Sequence, residues 1–366
     1  MKTPLLQEHQ QFREIVRGFV ARELRPDAPQ WERAGQFPRD VMKRCARQGF
    51  LQDDPSRNLI LAEEFPCSES LGFALSFFVQ TNLIIPLIQE FGNPAQKASF
   101  LPQLQAGEAI GAMAVTEPGA GSDFAALTCA AEICGDDMVL RGEKTYITNG
   151  AFADLLIVAV RLDSEAEGLT MVLVPTKVEG VTVERIQTLG LSASGTARIR
   201  FDACHVPREN VLGAIGEGFL QVQRGLNRER LYGGLACVSW AQYALNKALE
   251  FVRGRRAFGQ TLSRFQVIRH EFAEMATLLE AARSLNYRTF TRWVAGEPVT
   301  REICMIKLFS YEAAQRVITH CLQVHGGLGY MEDHWSSRFY RDARALTIAA
   351  GTPEIMKDMI ASYERV

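Results

Sequence analysis

The sequence predicts a multidomain α+β fold: an N-terminal α-helical domain over residues 1–109, a middle β-barrel or β-sandwich domain over 110–214, and a C-terminal four-helix bundle over 215–366. Three observations carry this reading. Apolar residues recur at helical spacing through the first part of the chain. The pattern then changes to short runs rich in β-branched residues between Gly, Asp and Pro. It finally returns to long helical periods with few breaks, the pattern of packed antiparallel helices.

In the first part, Phe12, Ile15, Val16, Phe19 and Val20 fall at i, i+3, i+4, i+7 and i+8, which lines up one apolar helix face. Helices are also expected around 41–50, over 57–65 with Pro66 closing it, and over 71–90, which is apolar nearly all round and should be buried. Asn93-Pro94 is a start signal for a short helix over 95–104. In the middle part, Met138-Val139-Leu140 and the run 144–148 flank an expected turn at Arg141-Gly142, and Asn149-Gly150 is a second turn signal. Strands are expected over 155–160, 170–174, 181–186 and 197–201, with Pro207 and Gly213 punctuating the end. The last part contains long helical segments near 219–253, 264–295 and 299–325, and a shorter one from 353 to the end.

Composition narrows the function classes. The 366 residues are 47% apolar and 22% charged, ordinary for a globular chain able to bury large cores. Lys+Arg number 40 against 42 Asp+Glu, and no basic block stands out, so a dedicated nucleic-acid surface is not expected. No apolar run is expected to reach the roughly 18 residues of a membrane span, and the N-terminus lacks the apolar core of a secretory signal. The eight scattered cysteines read as reduced thiols in a cytoplasmic protein. His320, Cys321 and His325 lack an evident fourth ligand, so no metal site is expected.

Four stretches could carry chemistry. Thr116 to Asp123 form a small-residue loop in which Gly119 and Gly121 let backbone N–H groups approach a ligand and Thr116 and Ser122 add hydroxyls; a plain connecting turn has the same composition. Arg255-Arg256-Ala257-Phe258-Gly259-Gln260 offers an arginine fork and an aromatic ring, suited to a pyrophosphate and a planar group, although a solvated helix end reads the same way. Gly326-Gly327-Leu328-Gly329 ends another helix, as a C-cap does. Glu229 sits on a helix with Gly233 and Ala236 on its face, which leaves a hollow beside the carboxylate. The adjacent Gly233 and Gly234 are unfavourable in mid-helix, so another backbone or a ligand should approach closely there. No Rossmann or P-loop glycine motif occurs.

In this order the motifs change the reading. MAVTEPGAGSDFAALTC from Met113, KTYITNG from Lys144, ERLYGG from Glu229, RRAFGQTLSRFQ from Arg255, QVHGGLGYMED from Gln323, FYRDAR from Phe339 and GTPEI from Gly351 together resemble the acyl-CoA dehydrogenase family over nearly the whole chain. The resemblance implies bound FAD and α,β-dehydrogenation of an acyl thioester. Met113, Val115, Thr116, Gly121, Ser122, Tyr146, Ile147 and Thr148 would hold the isoalloxazine and ribityl part, with Thr148 near the flavin N5 and Tyr146 where the family usually has Trp. Arg255, Ala257, Phe258 and Gln266 would meet the diphosphate and adenine side. Gln323, Gly326 and Gly327 would come from a neighbouring subunit, and Thr352 and Glu354 would lie near the adenosine end. Ser122, Leu226, Asn227, Arg230, Ala350 and Gly351 would line the thioester site.

The chain departs from the commonest family pattern in two places. Most members carry the base in a Tyr-Glu-Gly-Thr stretch, whereas this chain reads Ala349-Ala350-Gly351-Thr352, so position 350 has no side chain that could deprotonate a substrate. Glu229-Arg230-Leu231 instead resembles the subgroup that keeps its base on the long helix, as in isovaleryl- and long-chain-type enzymes and dehydrogenases of carrier-bound prolyl groups. Glu229 is therefore the expected base, and the Ala350 N–H can still donate to the thioester carbonyl. The loop after Leu51 is shorter than the family's usual one. The resemblance further implies an acyl-CoA or acyl- or peptidyl-carrier-protein substrate, an electron-transfer flavoprotein or oxygen as acceptor, and a homodimer or homotetramer. The alternatives are a flavin monooxygenase or oxidase on the same fold, or a non-catalytic relative.

Overall fold

The structure, a computed structural model, describes residues 7–162 and 168–366. Its N-terminal part contains seven α-helices among the described residues: α1 (Gln7–Phe19), α2 (Ala28–Ala34), α3 (Asp40–Arg47), α4 (Pro55–Glu64), α5 (Leu71–Val79), α6 (Ile85–Phe91) and α7 (Pro94–Gln105). Phe12, Val16, Phe19 and Val20 are buried as their spacing predicts, but Ile15 lies off that face and is 53% exposed. Helix α2, which has no long apolar repeat, was not expected; it ends at Gly35 in the left-handed conformation that a helix C-terminus favours. Asn93 and Gln96 form a reciprocal cap around Pro94 at the start of α7, so the Asn-Pro signal is used as anticipated.

Leu71–Phe91 forms one helical rod, with a looser π turn (Gln80–Ile84) between α5 and α6. Its 21 residues are long and apolar enough to cross a membrane, a longer run than expected from sequence, but 89% of the most apolar window is buried inside the protein. This rod is a core helix on which the other layers pack.

Among the described residues the middle part is an eight-stranded sheet: β1 (Gly111–Ala114), β2 (Ala130–Cys134), β3 (Asp137–Ile147), β4 (Leu155–Leu162), β5 (Thr170–Pro175), β6 (Val181–Arg185), β7 (Ala197–Pro207) and β8 (Val211–Leu212). The strand order is β6-β7-β3-β2-β4-β5-β8, with β1 pairing alongside β4 in parallel. β4 is shared by β1, β2 and β5, so the sheet folds over its own apolar cluster around Leu140, Leu156, Val158 and Phe201. Its terminal strands β6 and β8 do not pair, so it is an open sandwich-like layer rather than a closed barrel. Arg141-Gly142 is not a turn. Both residues lie within β3 at a β-bulge, where Gly142 takes φ 139° and a Cβ would fall 2.8 Å from the Cys129 backbone. β1 and β8 are too short for the sequence periods to reveal, and β2, Ala-Ala-Glu-Ile-Cys, carries a single β-branched residue.

The C-terminal part has five helices rather than four: α8 (Gly218–Gly254), α9 (Gln266–Val294), α10 (Thr300–His325), α11 (Trp335–Ile348) and α12 (Pro353–Glu364). Helix α11 was hidden because its buried face, Phe339 and Ala343, is interrupted by charged residues. α8 is about 55 Å long at the ordinary helical rise and packs on α9, α10 and α4, so one side chain along it can be carried deep between domains.

Three parts of the chain meet at a buried pair of acids. Glu32 of α2 accepts hydrogen bonds from the Ser70 hydroxyl (2.6 Å), the Gly72 N–H (3.0 Å) and the Ala193 N–H (3.1 Å). Asp342 of α11 accepts from the Leu191 N–H at 2.6 Å, while its Oδ2 has no partner among the described residues. Burial, reinforced by the nearby Glu32, pushes the Asp342 carboxyl up to about 8. The folded protein thus binds this proton more tightly than the unfolded chain, and the contribution of Asp342 to stability falls as pH rises from the ordinary range to about 8. Asp342→Asn, which keeps the Leu191 contact, should flatten that slope; urea unfolding of both proteins across the interval measures it.

Candidate active site

Glu229 lies about three turns into α8 by the helical repeat and lines a pocket with Thr148 from the end of β3 and Ala350 from the segment after α11. Apart from Asn82, the remaining wall is chiefly apolar, including Leu71, Leu75 and Phe78 of α5 and Trp240 of α8. The cavity has a volume of about 70 Å³, well above the roughly 10–15 Å³ that a single water needs.

The Glu229 carboxylate makes no hydrogen bond or ion pair among the described residues. Burial pushes it above the ordinary carboxylate range, against the opposing pull of Lys307 and Arg230. The hollow expected beside Gly233 is only partly open. A Cβ at Gly233 would fall 1.9 Å from the Tyr311 hydroxyl, and one at Gly234 would fall 2.2 Å from Ile306 Cγ2. The two glycines are therefore explained by the close approach of α10. Tyr311 in turn donates toward the Glu229 and Arg230 carbonyls at 3.4 Å.

Two cations hold the segment facing Glu229. Arg230, 4% exposed, donates through Nε to the Ala350 carbonyl at 2.8 Å, and its Nη1 reaches Asn227 Oδ1 at 3.5 Å. Lys307, 2% exposed, donates to the Leu346 carbonyl at 2.5 Å and lies 4.0 Å above the Tyr311 ring. Burial lowers the Lys307 ammonium to about 8. Ala350 itself is held at φ 58°, in the left-handed region that non-glycine residues avoid, and Gly351 follows at φ 110°. Such a kink is retained where the surroundings fix it, here through Arg230.

Thr148 is placed by a second irregularity. The β3–β7 register shifts between Lys144 and Ile147, and Tyr146 at φ 61° and Asn149 at φ 68° bend the chain. Asn149 Nδ2 ties the bend to the Ser76 carbonyl (3.1 Å) and the Gly111 carbonyl (3.0 Å). The Thr116–Ser122 loop is anchored below by a fully buried pair. Lys144 Nζ donates to Glu117 at 2.8 Å and to the Val115 carbonyl at 2.9 Å, and the Thr145 N–H donates to the Thr116 carbonyl at 2.9 Å. Burial alone would raise Glu117, but hydrogen bonds from Lys144, Thr128 and Cys129 hold it below the ordinary range.

The other expected site residues are spread along the molecule. Met113 lies on β1, Val115 is buried beneath the loop, and Gly121 and Ser122 are exposed at its tip. Ile147 is buried, while Tyr146 stands 66% exposed. Leu226 and Asn227 lie outside the cavity lining, where Asn227 steadies Arg230 instead. Arg255 opens on a separate cleft with Phe251, His325 and Trp335. Ala257 pairs with Gln260 across a two-residue hairpin turn made by Phe258 at φ 49° and Gly259 at φ 80°. Gln266 begins α9, Gln323 ends α10 on its exposed side, and Gly326 and Gly327 follow with open space where a Cβ would stand. Thr352 caps α12, accepting from the Ile355 N–H at 3.4 Å, and Glu354 is in its first turn. His320 pairs with Glu271, and His325 Nδ1 meets the Cys321 carbonyl at 2.6 Å, so neither faces a shared centre.

These residues fit FAD on three observations. The Arg255 guanidinium has no hydrogen-bond or ion-pair partner among the described residues, as an anion-binding group should. Phe258, 95% exposed in a strained conformation, is a bulky ring that meets the Phe265 ring edge-on at 6.3 Å and otherwise stands in the open. The open backbones at Gly119, Gly326 and Gly327 admit a ligand at close range. Sequence reasoning missed Asn82, Trp240, Lys307 and Tyr311, because helical periodicity places residues on a face without saying which face meets a cavity.

Family models for the acyl-CoA dehydrogenase N-terminal, middle and C-terminal domains match residues 6–108, 112–204 and 216–363. The long-chain specific acyl-CoA dehydrogenase of Sus scrofa mitochondria is 33% identical over 370 residues, covering 97% of this chain and 86% of that one. An acyl-CoA dehydrogenase structure from Geobacillus kaustophilus superposes with a TM-score of 0.95 at 34% identity over 99% of each chain. A glutaryl-CoA dehydrogenase from Mycobacterium smegmatis in complex with FADH2 superposes with a TM-score of 0.93 at 26% identity, covering 98% of this chain and 95% of that one.

Proposed function

Because this chain belongs to the acyl-CoA dehydrogenase family, and is an FAD-dependent oxidoreductase acting on the CH–CH bond of acyl-CoA thioesters, we propose that Glu229 is its catalytic base. The observation that carries the reading is the shared cavity: Glu229, with no partner among the described residues, Thr148 from the middle part and the fixed Ala350 segment all line one space.

An α-proton next to a thioester is weakly acidic, so its removal needs a nearby base and hydrogen-bond donors on the developing enolate oxygen. Glu229 takes the proton. Its depleted hydration raises its basicity, against the opposing pull of the cations Lys307 and Arg230. The Ala350 N–H, presented by the kink that Arg230 holds, donates to the thioester carbonyl. FAD, when bound, would supply the acceptor that takes the β-hydrogen as hydride. Thr148 would orient its ring, and Arg255 and Phe258 would hold its diphosphate side. The exposed Phe258, Leu328 and Tyr330 support a homodimer or homotetramer in which the site is completed across a boundary. A carrier-protein thioester presents the same pantetheine arm as CoA, and either an electron-transfer flavoprotein or oxygen reoxidises the flavin. Eight free cysteines support a reducing, cytoplasmic setting.

The test is anaerobic flavin bleaching by acyl-CoA esters and by the same acyl groups on a carrier protein. Bleaching by one class identifies the handle. Reduction only by NAD(P)H, followed by oxygen consumption, would favour a monooxygenase instead. Arg255→Ala should lower FAD occupancy after gel filtration, read as the flavin-to-protein absorbance ratio; an unchanged ratio contradicts the diphosphate role.

A further inference from the structure

The rod that forms the cavity wall carries three successive polar residues, Gln80, Thr81 and Asn82, at the π turn between α5 and α6, a kind of irregularity frequent at functional sites. Two of them are accounted for. Gln80 Nε2 donates to the Leu104 and Ala109 carbonyls, both at 3.0 Å, and its Oε1 accepts from the Gly111 N–H at 2.8 Å, so it joins the rod to β1. Thr81 donates its hydroxyl to the Phe77 carbonyl at 3.0 Å.

Asn82 is not accounted for in the same way. It is 2% exposed and lines the cavity with Glu229. Its Nδ2 lies 3.3 Å from Thr81 Oγ1. The single hydroxyl hydrogen of Thr81 is committed to Phe77, so Thr81 can only accept from Asn82, which fixes the orientation of the amide. The remaining polar atom is Oδ1, an acceptor, and it has no partner among the described residues. A buried acceptor without a donor is costly and calls for an explanation. A leucine of similar size would fill this apolar wall without that cost.

We infer that Asn82 is a specificity-determining residue, and that the acyl group this enzyme takes carries a hydrogen-bond donor, which Asn82 Oδ1 accepts. The substrate class is thus a donor-bearing acyl thioester rather than a plain hydrocarbon one. This rests on the reading of the cavity as the acyl site. Trp240 Nε1, another unpartnered polar atom of the wall, is a donor. A hydroxyl can both donate and accept, so it is the group to test.

The experiment uses the holoenzyme and isosteric pairs that differ by OH in place of CH3: ω-hydroxybutyryl-CoA against pentanoyl-CoA, and ω-hydroxypentanoyl-CoA against hexanoyl-CoA. Anaerobic flavin reduction gives kcat and KM for each, and calorimetry with the matching non-reacting thioethers gives Kd. The hydroxy member of at least one pair should be preferred by about 10- to 100-fold in kcat/KM, carried by KM and Kd rather than kcat. Asn82→Leu should reverse that preference, and Asn82→Ala should abolish it if the leucine variant does not fold. Equal handling of both members of every pair by the wild type, or an unchanged preference in the Asn82 variants, overturns the inference and leaves the dehydrogenase reading standing. Absence of bleaching by every thioester overturns the dehydrogenase reading and the inference with it.

Discussion

Glu229→Gln should bind FAD as the wild type does and lose flavin reduction by acyl thioester by about 10²–10⁴-fold, the scale of a general base. The substitution is nearly isosteric and removes only the ionisable group. Its second expected effect has the opposite sign. Glu229 is held above the ordinary carboxylate range by burial, so the folded protein favours the protonated form relative to the unfolded chain. Stability is lost as pH rises from the ordinary range through the raised value, and the neutral amide escapes that loss. The variant should therefore melt at a higher temperature than the wild type at pH values above that interval, while both melt alike below it. Loss of activity together with a gain in stability distinguishes a functional carboxylate from a structural one. Reduction at the wild-type rate in the variant would remove Glu229 from the mechanism.

Lys144→Met should produce the largest loss of stability, about 3–5 kcal/mol, the cost of breaking a buried ion pair by removing one partner. Lys144 is 0% exposed and Glu117 4% exposed. Without the ammonium, Glu117 retains only the Thr128 and Cys129 donors for its charge, and the Val115 carbonyl loses its donor. The pair also joins the Thr116–Ser122 loop to the strand that ends at Thr148. The variant should thus lose FAD more readily, even at temperatures where it remains folded. Adding Glu117→Gln should recover part of the stability, since the uncompensated charge is then gone. Urea unfolding and flavin occupancy after gel filtration measure the two effects separately.

The sequence disclosed the order of layers because long periodic segments depend on burial of one face, and burial is what periodicity records. α8, α10 and the rod 71–91 were visible for that reason. α2 was not, being short, nor was α11, whose buried face is interrupted by charged residues. Arg141-Gly142 misled because a glycine needed for a bulge has the same local signature as one needed for a turn. At the candidate site, Glu229 and the Ala350 segment were legible through motif resemblance. Their mutual support by Arg230, Lys307 and Tyr311 was not, because it depends on α10 lying against the two glycines of α8. Asn82 had a signal in hindsight: three successive polar residues inside a core helix break the apolar pattern and need partners.

The central claim is that Glu229 removes the substrate proton, and stopped-flow flavin reduction by a short acyl-CoA across pH tests it most directly. The wild type should bleach at a rate that rises with pH through one ionisation above the ordinary glutamate range, and Glu229→Gln should lack both that ionisation and the fast phase. A fast phase with the same pH profile in Glu229→Gln would contradict the claim.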